Sequence, residues 1–213
     1  MRQTPHDPSN EDGNVDAWRL MLWKQALGPS LASKAPVAYN MWKDSRARHL
    51  RLGSDLEDIL LELRKHYKLG LITNGPSSSQ WDKIRRVNAL QYFDAIIVSG
   101  DIKHAKPSVA IFEEAFRRLD ASSLECIMVG DRLDTDIKGA IRANCAAAVW
   151  VNDSDIPLED VHPRPDFKIS HVRELVELLP ERKGFSSLCQ DKAIGMFHSL
   201  RDESQAWRMT YKD

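Results

Sequence analysis

The chain has 213 residues, enough for one well-buried domain and a smaller appendage. Its 30 Lys and Arg nearly cancel its 31 Asp and Glu and are mixed along the chain, so neither nucleic acid nor a membrane surface is expected as the main partner. Three widely spaced cysteines without CxxC pairing (Cys126, Cys145, Cys189), no apolar run near the roughly 20 residues that span a bilayer, and a polar, acidic N-terminus fit a cytoplasmic protein.

Residues 1–14, rich in Pro, Asn, Asp and Gly, are expected to be disordered. Two helical stretches follow, at roughly 15–27 and 31–49, separated by Gly28-Pro29, with Trp18, Leu22, Tyr39 and Trp42 at helical spacing. These aromatics read as packing residues. From residue 55 the pattern changes to helices alternating with short apolar strands. Helices are expected at 55–67, 80–88, 109–119, 134–143 and 172–179, and strands at 69–73, 95–99, 126–130, 146–151 and 167–169. Continuous apolar strands with helices between them imply right-handed parallel crossovers, hence an α/β fold with a doubly wound parallel sheet, Rossmann-like in its core. In such sheets ligands sit beyond the carboxyl ends of the strands. Residues 181–213 are polar with scattered Phe, Met and Trp, and read as a tail with at most one loose helix.

Three strand ends carry chemistry. Thr73, followed by Asn74-Gly75, offers a hydroxyl and free backbone N–H groups to an anion, although Thr-Asn-Gly is also an ordinary turn. Lys106-Pro107 opens the helix at 109–119, where a lysine can point back at the strand ends or simply be solvated. Asp131, Asp134 and Asp136 crowd the end of the strand at 126–130, and magnesium is the natural neutraliser of such acidity. Asp134 would also cap the following helix, leaving Asp131 and Asp136 closer to a metal.

The order and spacing of these motifs resemble motifs two, three and four of the haloacid dehalogenase superfamily over roughly residues 50–180. The resemblance implies a magnesium-dependent phosphomonoester hydrolase. Thr73 and the backbone at Asn74 would hold phosphoryl oxygens, Lys106 would neutralise charge on nucleophile and phosphate, Asp131 would ligate magnesium, and Asp136 would ligate it or orient its waters. Within the superfamily, the strings LWKQA, YNMWKDSRARHL, LITNG, KHAKPSVAIF, CIMVGDRLDTDIKGAIRANCAAAVWVN and HVRELVELLP are similar to the N-acylneuraminate-9-phosphatase family. That similarity implies a small-molecule sugar phosphate, N-acylneuraminate 9-phosphate in sialic acid synthesis, as substrate. It also makes residues 15–50 a remnant of a helical cap over a core at 51–180.

The superfamily's first motif, Asp-x-Asp-x-Thr/Val at the end of a first strand, supplies the nucleophile and the general acid and base. No apolar strand with this motif precedes residue 50, so the core is expected to lack its first strand and the aspartyl nucleophile, and turnover by the family's route is expected to fail. Asp134-Thr-Asp136 belongs to the magnesium motif, and Asp153-Ser-Asp155 reads as a solvated turn. The alternative reading is a catalytically dead protein that keeps the phosphate and metal pocket for binding or regulation. A receiver domain of the response-regulator kind shares a parallel sheet, an acidic pocket and a lysine, but orders its acidic residues differently.

Overall fold

The computed structural model describes residues 15–179 together with Ala193 and Ile194. The expectations of disorder at 1–14 and of a loose helix in the tail lie outside the described residues. The chain opens with a helical hairpin, α1 (Val15–Leu27) and α2 (Ala35–His49), joined through Gly28 and a 3₁₀ turn at Ala32–Lys34. The hairpin closes on aromatic rings: Trp42 stacks on Tyr39 at 5.8 Å between centroids and lies 6.4 Å from Trp23. The Tyr39 hydroxyl, on a residue only 4% exposed, donates to Asp16 at 2.6 Å.

The remainder alternates helix and strand. In chain order it runs α3 (Ser54–Arg64), β1 (Lys68–Thr73), α4 (Ser77–Arg86), β2 (Ala95–Val98), α5 (Ser99–Ile102), α6 (Val109–Leu119), β3 (Ile127–Gly130), a π turn at Leu133–Ile137, α7 (Lys138–Arg142), β4 (Ala147–Val151), β5 (Phe167–Ile169) and α8 (Leu175–Leu178). Helix α6 forms where Ile111, Phe112, Ala115, Phe116 and Leu119 make one buried stripe, and it stops where Asp120 turns left-handed. Helix α3 begins with Asp55 and Glu57 and ends with Arg64, charges that complement its dipole.

The ladders are parallel: β1 with β2, β3 with β4, and β4 with β5. They form two three-stranded groups, β2-β1-β6 and β3-β4-β5, where β6 is the dipeptide Ala193–Ile194 beside Lys68 and Leu69. Alternating side chains build a core on each face. On one, Ile72, Ile97, Met128 and Ala148 pack under Phe112, Phe116, Ile137 and Ala140 from α6, the π turn and α7. On the other, Leu69, Val129, Val149 and Ile169 meet Leu60, Leu63 and Leu175, while Leu71, Ile96 and Val98 meet Ile84 of α4. Helices thus cover both faces, as the expected doubly wound architecture requires. No described helix is long and apolar enough to cross a membrane.

Candidate active site

Lys106 bridges the carboxyl end of β1 and the turn after β3 at the join of the two strand groups, and the predicted residues collect there. Thr73 closes β1 fully buried, and its hydroxyl donates to Gln80 Oε1 at 3.0 Å. Asn74 follows. Its side-chain amide donates to the Lys106 carbonyl and accepts from the Lys106 N–H, both at 2.9 Å. This two-point clamp fixes the peptide just before the cis Lys106-Pro107 bond. The start of α5 is drawn in as well: Gly75 N–H donates to Ser99 Oγ at 2.9 Å, and Gly100 N–H donates to the Gly75 carbonyl at 3.2 Å. A Cβ on Gly100 would sit 2.9 Å from that carbonyl, so only glycine lets α5 touch the loop after β1.

Lys106 is not solvated. Its ammonium, 1% exposed, donates to the Ile72 carbonyl of β1 at 2.9 Å and to Asp136 Oδ1 at 2.8 Å. Asp136 is fully buried, and its second oxygen accepts from the Arg132 N–H at 3.1 Å. Lys106 and Asp136 therefore form a buried, hydrogen-bonded ion pair that ties β1 to the turn after β3. Gly130 makes it possible, because a Cβ there would lie 2.5 Å from the Asp136 carboxylate.

Asp131 is half-buried at the end of β3, and its carbonyl accepts from Trp150 Nε1 at 3.0 Å. Asp134 corrects an expectation. It lies within the π turn and pairs with the Arg132 guanidinium at 2.6 Å, and no side chain caps that turn, because the chain enters it one residue earlier than the apolar pattern implied. Asp153 and Asp155 stand exposed after β4, where Asn152 Oδ1 accepts from the Ser154 N–H at 2.9 Å. Gln80, Ser99 and the side-chain role of Asn74 escaped sequence reasoning. Each partners a residue 7–32 positions away, and no local pattern marks it.

Between the α1–α2 hairpin and α4 lies a cavity of about 230 Å³, lined by none of these residues. Its walls include Arg19, Trp42, Arg46, Ser78, Lys83 and Arg86. Two guanidinium groups lie over the Trp42 ring, Arg46 at 4.6 Å and Arg19 at 5.9 Å from its centroid.

The model of one protein family, described as haloacid dehalogenase-like hydrolase, matches residues 21–150. N-acylneuraminate-9-phosphatase of Rattus norvegicus is 36% identical over 176 residues, 82% of this chain and 71% of that protein. Glyceraldehyde 3-phosphate phosphatase of Methanopyrus kandleri is 37% identical over 159 residues, 72% of this chain and 66% of that protein. Among solved structures, an HAD phosphatase from Thermococcus onnurineus superposes with a TM-score of 0.55 at 29% identity, covering 67% of this chain and 60% of that one.

Proposed function

The chain belongs to the haloacid dehalogenase-like hydrolases and is of their phosphatase type, and from that premise we propose that it recognises an acidic nine-carbon sugar phosphate, N-acylneuraminate 9-phosphate, with magnesium. The observation that carries the phosphate part is the convergence of Thr73, the backbone after it, and the buried Lys106 at one pair of strand ends. Thr73 and the N–H groups of the loop after β1 bind phosphoryl oxygens, and Lys106 contributes the positive charge. Asn74 holds the Lys106 backbone in place by its two hydrogen bonds.

Magnesium fits the donor chemistry through Asp131. This hard ion needs only one or two carboxylates beside waters and phosphate oxygens, and no described cluster of three or more His, Cys, Asp or Glu offers a fuller cage. When bound it neutralises phosphate charge. Asp136, with Lys106 on one oxygen and the Arg132 N–H on the other, holds Lys106 in place and would orient the waters of a bound magnesium ion. Residues 15–50 act as a cap remnant, and the cavity under them receives the sugar, its Arg19, Arg46 and Lys83 suiting a sugar carboxylate. A cytoplasmic setting suits the free thiols of Cys126 and Cys145.

Neither Asp-x-Asp string in the sequence serves as a nucleophile in this reading. One is built into the Lys106–Asp136 pair and the other is an exposed turn. The 213-residue chain therefore binds its sugar phosphate without turning it over. Titration calorimetry with N-acetylneuraminate 9-phosphate and glyceraldehyde 3-phosphate, with and without magnesium, tests both halves. Tighter magnesium-dependent binding of the nine-carbon ligand, abolished in its magnesium dependence by Asp131→Asn, is expected, together with no phosphate release. Equal affinity for the two ligands would overturn the substrate, and release of phosphate would overturn the loss of turnover.

A further inference from the structure

Among the described residues the two strand groups share no ladder of their own: β1 bonds to β2 on one side, β3 bonds to β4 on its own far side, and β6 lies against both β1 and β3. Between β1 and β3 there is thus a slot the width of one strand. The backbone of β1 shows which groups face it. The Leu69 carbonyl accepts from the Asp94 N–H at 2.8 Å and the Leu69 N–H donates to the Asp94 carboxylate at 2.8 Å, so Leu69 turns toward β2. By the alternation of a parallel strand, Lys68, Gly70 and Ile72 then turn their backbone groups into the slot. The Ile72 carbonyl does meet a partner on that side, the Lys106 ammonium.

The slot is dry on both faces. One apolar layer runs unbroken from Ile72 and Ile97 to Met128 and Ala148, and the other from Leu69 to Val129 and Val149. Neither β1, Lys-Leu-Gly-Leu-Ile-Thr, nor β3, Ile-Met-Val-Gly, carries the proline or run of charges that protects a sheet edge. Both read as central strands, whose buried backbone groups require partners.

We propose that Ala193–Ile194 is a self-inserted strand that completes the sheet, closing the amino half of the slot while the Lys106–Asp136 pair closes its carboxyl half. Its pairing with Lys68 and Leu69 is parallel, as for every neighbour in the sheet. Ala193–Ile194 is then a structural part of the domain, and the strand ends that bear Thr73 and Asp131 are held in register by it. This inference is independent of which ligand the site takes.

Hydrogen exchange followed by mass spectrometry tests it in the full chain. Proline has no N–H and is not tolerated within a central strand, so Ile194→Pro is expected to speed exchange in peptides covering 68–73 and 127–130 by about tenfold or more. The β4–β5 ladder should keep its protection. Unchanged exchange in β1 and β3 would overturn the proposal. Should the proline variant fail to fold, a second measurement decides. Neighbouring strands lie about 4.8 Å apart, within disulfide reach, so Lys68→Cys with Ala193→Cys, in a Cys189→Ser background, is expected to give an intramolecular disulfide on oxidation. A disulfide between two copies, or none, overturns it.

Discussion

At the scale of single residues, the Lys106–Asp136 pair holds the site together, and its energetics can be measured. Both side chains are desolvated, that of Lys106 1% and that of Asp136 0% exposed, so removing one partner strands a buried charge. Such losses run to about 3–5 kcal/mol, whereas replacing both partners by apolar groups is close to neutral. Lys106→Met and Asp136→Leu are each expected to lower unfolding stability in urea by amounts in that range, and the double variant to recover most of the loss. Additive single losses would mean that the two side chains do not act as a pair. The neighbouring Gly130→Ala should resemble the single variants, because its Cβ would press on the Asp136 carboxylate. What the sequence could reveal here was the identity of Thr73, Lys106, Asp131 and Asp136, since each follows an apolar run or opens a helix. That Lys106 and Asp136 bond to each other, 30 positions apart, depends on where the crossover through α6 returns, and no spacing records that.

At the scale of elements, polar contacts to Asp16 brace the helical hairpin beside its aromatic rings. The Tyr39 hydroxyl and the Lys43 ammonium both hold Asp16, at 2.6 and 2.9 Å. The Tyr39 hydrogen bond first, then that of Lys43, keep the Asp16 carboxyl below its usual range, and burial with the same bond raises Tyr39 above its own. A carboxyl depressed in the folded state stabilises the fold above its unfolded pKa of about 4, and the contribution is lost as pH falls through the lower folded value. Tyr39→Phe is therefore expected to cost about 0.5–1.5 kcal/mol at neutral pH and to flatten the acid limb of a thermal-melting profile taken from pH 5 down to pH 2. An acid limb as steep as that of the wild type would assign it to other carboxylates. Element types were widely legible: α6 and β5 have the bounds their apolar patterns imply, and most others differ by one to three residues. The exceptions have local causes. Ser99 begins the short helix α5 instead of ending β2, because its hydroxyl turns back to Gly75. The helix expected at 134–143 opens as a π turn at Leu133, where Asp136 accepts from the Arg132 N–H.

At the scale of the whole molecule, the layers were predictable and the centre of the sheet was not. Apolar runs say that a strand is buried on both sides, but they do not say which strand lies beside which. A two-residue strand such as β6 is too short to carry a periodic signal. Whether the halves of the sheet stay closed can be followed with the cysteines that precede β3 and β4. Burial pushes the thiols of Cys126 and Cys145 up to about 12, so at pH 8 the thiolate that attacks a disulfide reagent is scarce in the folded state. Both should resist an aromatic disulfide reagent in the native chain and react at once in urea. Cys126 lies in the apolar layer that spans both strand groups, so opening of the slot must expose it. Labelling of Cys126 should accordingly quicken in Ile194→Pro more than labelling of Cys145, which is only partly buried in the native fold. Equal acceleration at both positions would mean that the domain opens as one unit, and rapid labelling of Cys126 in the unaltered chain would mean that the slot is not held shut.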